Sequence, residues 1–170
     1  MEEQSLNEVS HVPTPKPATG KVGLLSKLIA TGLGTGLSPI APGTVGSLLG
    51  LLVYAITDFE KPYLIGPAIV VFFFWGAYAA GKMEKVYGHD PSRVVIDEIV
   101  AMWISLAFLP KRLFLMIVGF FIFRMLDIFK PFPSGYIDRK NGGFAIMLDD
   151  VFCGVYTNLI IRLYLFLGQR

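Results

Sequence analysis

The sequence predicts an all-α fold, a polytopic membrane helical bundle, and three observations point there. Hydrophobic residues make up 54% of the 170 residues and charged ones only 16%, where soluble domains carry roughly a quarter charged. Mean hydropathy is +0.59. Residues 64–81 form an uncharged apolar run of about the length that crosses a bilayer core, and the acidic and basic residues gather at the ends of such runs. The expectation is about four to five short transmembrane helices preceded by an N-terminal interfacial helix, all in one domain over residues 20–170. Residues 1–19 are polar and proline-rich, with Glu2, Glu3 and Glu8 but no apolar core. They read as a disordered cytosolic tail rather than a secretory signal.

Composition also excludes several functions. A net charge of +2 gives no basic surface for nucleic acid. Cys153 is the sole cysteine, so neither a disulfide framework nor a cysteine zinc site is available. His11 and His89 are too far apart for a metal-ligand spacing.

In chain order, residues 20–30 (GKVGLLSKLIA) set Lys21 and Lys27 against Val22, Leu24, Leu25, Leu28 and Ile29, the pattern of a helix lying in a membrane interface. Residues 31–47 follow with five glycines, two prolines and the hydroxyls of Thr35, Ser38, Thr44 and Ser47. Such a stretch cannot form a regular lipid-facing helix throughout. Its glycines and hydroxyls suit an anion cradle, and its small-residue spacing suits close helix packing equally well. No Gly-Lys-Ser/Thr follows, so it is not a Walker loop. Residues 44–57 and 64–81 are apolar, and KMEKVYGHDPSR (82–93) reads as a loop or short surface helix. Asp97 and Glu98 open an apolar run to residue 109, and Pro110-Lys111-Arg112 turns the chain into the run 113–126. Residues 131–141 break that helix, and a last segment runs to about residue 167, interrupted by Arg162.

Alternating hairpins would bring residues 21–47, 82–98 and 124–150 to one face. That face and its tail hold Lys16, Lys21, Lys27, Lys82, Lys85, Arg93, Arg124, Lys130, Arg139 and Lys140, against Lys61, Lys111, Arg112, Arg162 and Arg170 opposite. The bias assigns the first face to the cytosol, and the same face receives every chemically rich stretch.

The richest stretch is IFRMLDIFKPFP (122–133). Arg124, Asp127 and Lys130 recur every three residues, so on a helix they share one side. Charges beside Phe120, Phe121, Phe123, Ile128 and Phe129 are costly unless paired or used. One reading is a snorkelling pair at a bilayer exit. The other joins them to Asp97, Glu98, Asp149 and Asp150, all expected at helix ends on the same face. Carboxylates that converge repel, and a hard cation with oxygen ligands such as Mg²⁺ relieves them. Arg124 and Lys130 would then hold phosphate oxygens. Each acidic pair alone also fits helix N-capping. Taken together the groups describe phosphoryl chemistry on a lipid head group.

Four blocks carry a resemblance: GLGTGLSPIAPGTVGS (32–47), VIDEIVAMWISL (95–106), FRMLDIFKPFP (123–133) and DRKNGGFAIMLDDVFCG (138–154). Together they resemble the signature blocks of phosphatidylglycerophosphatase A, in the family's order. The resemblance implies a multi-pass protein of the bacterial inner membrane with its site facing the cytosol. It also implies Mg²⁺-dependent hydrolysis of phosphatidylglycerophosphate to phosphatidylglycerol and phosphate. Asp97, Glu98, Asp127, Asp149 and Asp150 correspond to the family's acidic positions, as catalytic groups and metal ligands. Arg124 and Lys130, with Ser38, Thr44 and Thr35, are the candidate phosphate binders.

Rival phosphatase chemistries fit less well. Leu159 stands six residues after Cys153, where a cysteine nucleophile's arginine would be needed, and no Asp-x-Asp pair exists. PSGY (133–136) is similar to a histidine phosphatase block but has Tyr136 in the histidine's place. The spaced carboxylate pattern of CDP-alcohol phosphotransferases is absent. A small transporter or channel, with charges lining a pathway, is the alternative from another class. It expects charges at mid-membrane rather than at helix ends.

Overall fold

At the centre of the molecule lies a short apolar helix, Ile96–Leu106, and the reason is length. An 11-residue helix is about 16 Å long, too short for a hydrocarbon core of about 30 Å, so its ends are shielded by protein. The computed structural model describes residues 20–168, which leaves the tail expected over residues 1–19 outside the described residues. The elements are α1 (Leu24–Ala30), a 3₁₀ turn (Thr35–Leu37), α2 (Pro42–Ile56), α3 (Pro62–Tyr87), α4 (Ile96–Leu106), α5 (Leu113–Phe129), α6 (Ser134–Asp138) and α7 (Gly143–Leu167). The fold is all-helical, with no strand among the described residues. Helix α4 is the buried one: all of its residues but Glu98 and Ile104 are buried, and α2, α3, α5 and α7 all pack on it.

Small residues and matched polar groups let the neighbours close on α4. A Cβ at Gly50 of α2 would lie 2.9 Å from the Ile99 carbonyl oxygen and 3.0 Å from its Cα, so only glycine admits this approach. The Trp103 indole N–H donates to the carbonyl of the same Gly50 at 3.0 Å. Its ring meets Phe59 and Phe72 edge-on, with centroids 5.2 and 5.3 Å away. At the C-terminal end of α4 the Asn158 amide of α7 donates to the carbonyls of Ile104, Ser105 and Ala107 at 2.9–3.2 Å. Arg162 adds donors to Ala107 and Phe108 and is itself held by Asn158 at 2.7 Å. The charge that interrupts the last apolar run therefore serves the backbone groups that a helix end leaves unpaired.

Several boundaries differ from the sequence reading. Helices α3 and α7 are long and apolar enough to cross a membrane, with 26 and 25 residues. Helix α2 is apolar but has only 15 residues, and α4 is wrapped by the others, so by length and composition two helices are candidate spans and the expected four to five are not established. Helix α3 continues through Lys82, Glu84 and Lys85 to Tyr87, where a loop or a short separate surface helix was expected. Those are good helix formers, and the stop comes at Gly88 with φ 97°. Helix α1 is shorter than the expected 20–30 segment. Its apolar arc is split, for Ile29 packs toward the core while Leu24, Leu25 and Leu28 stay exposed. The break at 131–141 contains the short helix α6.

Candidate active site

Four helix ends and one loop converge on a pocket of about 250 Å³. The first turn of α4 brings Asp97 and Glu98, and the end of α5 brings Arg124 and Asp127. Lys130 follows at the C-cap, its backbone left-handed at φ 44°. The second turn of α7 brings Asp149 and Asp150. The fourth wall is Ala41, Pro42 and Gly43 at the start of α2, with Asp90, Ser92 and Val94 from the loop before α4. All seven charged residues singled out in the sequence thus line one cavity, and all come from helix ends.

The acidic groups are crowded. Carboxylate oxygens of Asp97, Glu98 and Asp150 lie within 4.8 Å of one another, and Asp97 and Asp150 are only 7% and 3% exposed. Asp97 Oδ1 accepts the Glu98 backbone N–H at 3.1 Å. Glu98 Oε2 and Asp149 Oδ1 are buried with no hydrogen-bond partner. Buried carboxylates with open lone pairs are costly, and an oxygen donor set of this kind suits a hard divalent cation. The cluster is one that can hold a metal ion.

The cations stand opposite. Arg124 Nη1 binds Asp127 Oδ2 at 2.6 Å and the Ser47 hydroxyl at 3.3 Å, while Arg124 Nε is buried without a partner. Lys130 Nζ binds Asp149 Oδ2 at 2.8 Å and also Asp138. Each cation is therefore held by a carboxylate and still has donors to offer a second anion.

The candidate phosphate-binding hydroxyls of Thr35, Ser38 and Thr44 sit elsewhere. Thr35 donates to the carbonyls of Thr31 and Gly32 at 3.2 and 2.9 Å, and Ser38 donates to Ile40 at 2.9 Å. Both close their own turns, and neither they nor Thr44 lines the pocket. Ser47, named in the sequence only as part of that stretch, is the hydroxyl that reaches Arg124. Gly43 does border the site: a Cβ there would meet the Glu98 carboxylate and lie 3.4 Å from Arg124 Nη1. Asp90, Ser92 and Asp138 were not singled out from the sequence. Asp90 and Ser92 lie in a loop with no periodicity to orient them, and Asp138 ends the five-residue helix α6, too short to show a period, although it opens one of the four quoted blocks.

The family profile of phosphatidylglycerophosphatase A matches residues 28–165. The chain belongs to the phosphatidylglycerophosphatase A family. All four sequence blocks and every charged pocket residue fall inside the matched span. A phosphatidylglycerophosphatase A of Escherichia coli is 40% identical over 133 residues, covering 76% of this chain and 77% of that protein. One of Haemophilus influenzae is 39% identical over 150 residues, covering 83% and 90%. A Bacteroides thetaiotaomicron protein provisionally named a phosphatidylinositol-3-phosphatase is 40% identical over 145 residues, covering 81% and 91%. No solved structure matches the chain. Membership of the phosphatidylglycerophosphatase A family makes the chain a lipid phosphatase, and the matched relatives are bacterial.

Proposed function

We propose that this protein hydrolyses the terminal phosphomonoester of phosphatidylglycerophosphate, giving phosphatidylglycerol and phosphate, with Mg²⁺ in the carboxylate cluster. The observation that carries the reading is the pairing, in one pocket, of three converging carboxylates with two cations that keep spare donors. Asp97, Glu98 and Asp150 would hold the cation, and the orphaned Glu98 Oε2 is the oxygen that most needs it. When bound, the ion supplies charge neutralisation on the phosphate oxygens and Lewis acidity toward phosphorus.

The remaining work belongs to the chain itself. Arg124 presents guanidinium donors, oriented by Asp127 and Ser47, to two phosphate oxygens. Lys130, steadied by Asp138 and Asp149, adds a point charge on the opposite rim. Water adds to phosphorus, the bond from phosphorus to the glycerol oxygen breaks, and the proton lost by the water ends on that oxygen. Asp149, with its buried unpartnered Oδ1, is placed to orient that water.

Placement in the membrane follows the same logic. The apolar outer residues Phe74, Trp75, Phe114, Phe121, Leu163 and Phe166 are more than half exposed, and a bilayer covers them. Helices α3 and α7 span fully, while α2 and α5 cross with the pocket at their cytosolic ends, in the bacterial inner membrane. The relatives' names offer two lipid phosphomonoesters as substrate. Phosphate release by the purified protein from phosphatidylglycerophosphate and from phosphatidylinositol 3-phosphate, compared as kcat/KM, tests the choice. The first is expected to be preferred by at least about tenfold, equivalent to 1.4 kcal/mol. Equal or reversed preference would overturn the substrate assignment.

A further inference from the structure

A second groove, also of about 250 Å³, lies between the start of α1 and the end of α3 and shares no residue with the active-site pocket. Its lining is Lys21, Val22, Gly23, Lys82, Lys85 and Val86, with three lysines and no acidic side chain. All three lysines are exposed. None of them takes part in an ion pair among the described residues. Lys82 rests over the Tyr78 ring at 4.2 Å, which orders its stem without neutralising its charge. Directly beside the groove, Leu24 and Leu25 are 74% and 72% exposed. An anionic cavity-filler with an attached hydrocarbon body fits this combination, for three ammonium groups match a phosphate and the leucines match acyl chain.

We infer that the Lys21–Lys82–Lys85 groove binds the phosphate head group of an anionic phospholipid of the surrounding bilayer, apart from the substrate. Such binding bears on catalysis through a direct link. The carbonyl of Ala30, the last residue of α1, accepts the backbone N–H of Val95 at 2.9 Å. Val95 is the N-cap of α4, one turn from Asp97 and Glu98. A lipid that pins α1 against α3 therefore steadies the entry of the helix that carries two pocket carboxylates. The role at the active site rests on the proposed function, whereas the binding itself does not.

A photoactivatable phosphatidylserine in phosphatidylcholine vesicles is the probe, with adducts mapped by peptide mass spectrometry. Adducts are expected within residues 20–30 and 80–88, and K21Q/K82Q/K85Q is expected to lower them by about tenfold or more. K21R/K82R/K85R keeps the charge and should label like the native protein. Free inorganic phosphate at millimolar concentration should leave labelling intact if the lipid is the ligand. Efficient displacement by it would overturn the lipid assignment. The substitution Asp97→Asn, which disables the proposed chemistry, should label normally, so failure of the phosphatase reading would not touch this result. Equal labelling of the triple glutamine variant, or adducts spread evenly over the helices, would overturn the inference.

Discussion

Arg124 shows at the scale of one side chain how the site divides its work. One of its terminal nitrogens is committed to Asp127 and Ser47, yet its Nε is buried and free of partners. If it grips phosphate more tightly as charge develops, Arg124→Lys loses the planar fork and kcat should fall about tenfold or more. The Mg²⁺ requirement should stay nearly unchanged. A silent lysine variant would reduce Arg124 to a counter-ion for Asp127. Gly43 offers a second test at the same scale. It sits in the first turn of α2, where alanine is favoured by up to about 1 kcal/mol on helix propensity. The added methyl nonetheless meets the Glu98 carboxylate and crowds Arg124. Gly43→Ala should therefore leave thermal stability unchanged or raised while turnover drops at least about tenfold. A fully active alanine variant would show that Glu98 has room to move without consequence.

Among the elements, α4 and its attachments decide the architecture. Asn158→Leu would leave the carbonyls of Ile104, Ser105 and Ala107 without their donor. The expected loss of stability is roughly 1–2 kcal/mol, read by reversible denaturant unfolding in mixed micelles. The loop after α3 supplies a pH test. His89 Nδ1 contacts Glu84 Oε1 at 3.2 Å, and the other oxygen of Glu84 accepts the Gly142 N–H at 2.8 Å, joining the end of α3 to the start of α7. The bond with Glu84, helped by nearby negative charge, raises His89 above its ordinary 6.5. A raised folded value makes the protonated form the stabilising one. Its contribution is complete below about pH 6.5 and is lost as pH rises through the raised value. His89→Gln should thus lower the melting temperature near pH 6 and leave it unchanged near pH 9. A loss of equal size at both pH values would contradict the ion-pair origin.

These same elements show what the sequence could and could not tell. Arg124, Asp127 and Lys130 were legible because their spacing of three puts them on one side of a helix, and Asp97 and Glu98 because carboxylates are conspicuous in an apolar run. The burial of α4 was not legible, since an apolar helix looks alike whether protein or lipid covers it. Thr35 and Ser38 looked like anion ligands because hydroxyl chemistry is the same in a cradle and in a turn; only the backbone path sends them to Gly32 and Ile40. Asp90 stayed hidden because a loop carries no period from which to read direction, and Asp138 because the five-residue α6 is too short to show one.

Across the whole molecule, the charged pocket lies at the ends of α4, α5 and α7, with Arg162 and Lys111 toward the opposite ends. In a Cys153→Ser background, single cysteines at Lys85 and Arg139 should be shielded from an impermeant thiol reagent in intact cells, and one at Lys61 should react. Labelling of Lys85 and Lys61 from the same side would break the proposed topology. A transporter would need its charges near mid-span, and these stand at helix ends. On the proposed function, the pocket carries out metal-assisted phosphate ester hydrolysis. The most direct test is phosphate release from phosphatidylglycerophosphate by the purified protein, titrated with Mg²⁺ after chelation, alongside Glu98→Gln. Release should vanish in chelator and return with Mg²⁺, and the glutamine variant should need far more Mg²⁺ or stay inactive. Full release in the presence of chelator would contradict metal-assisted hydrolysis.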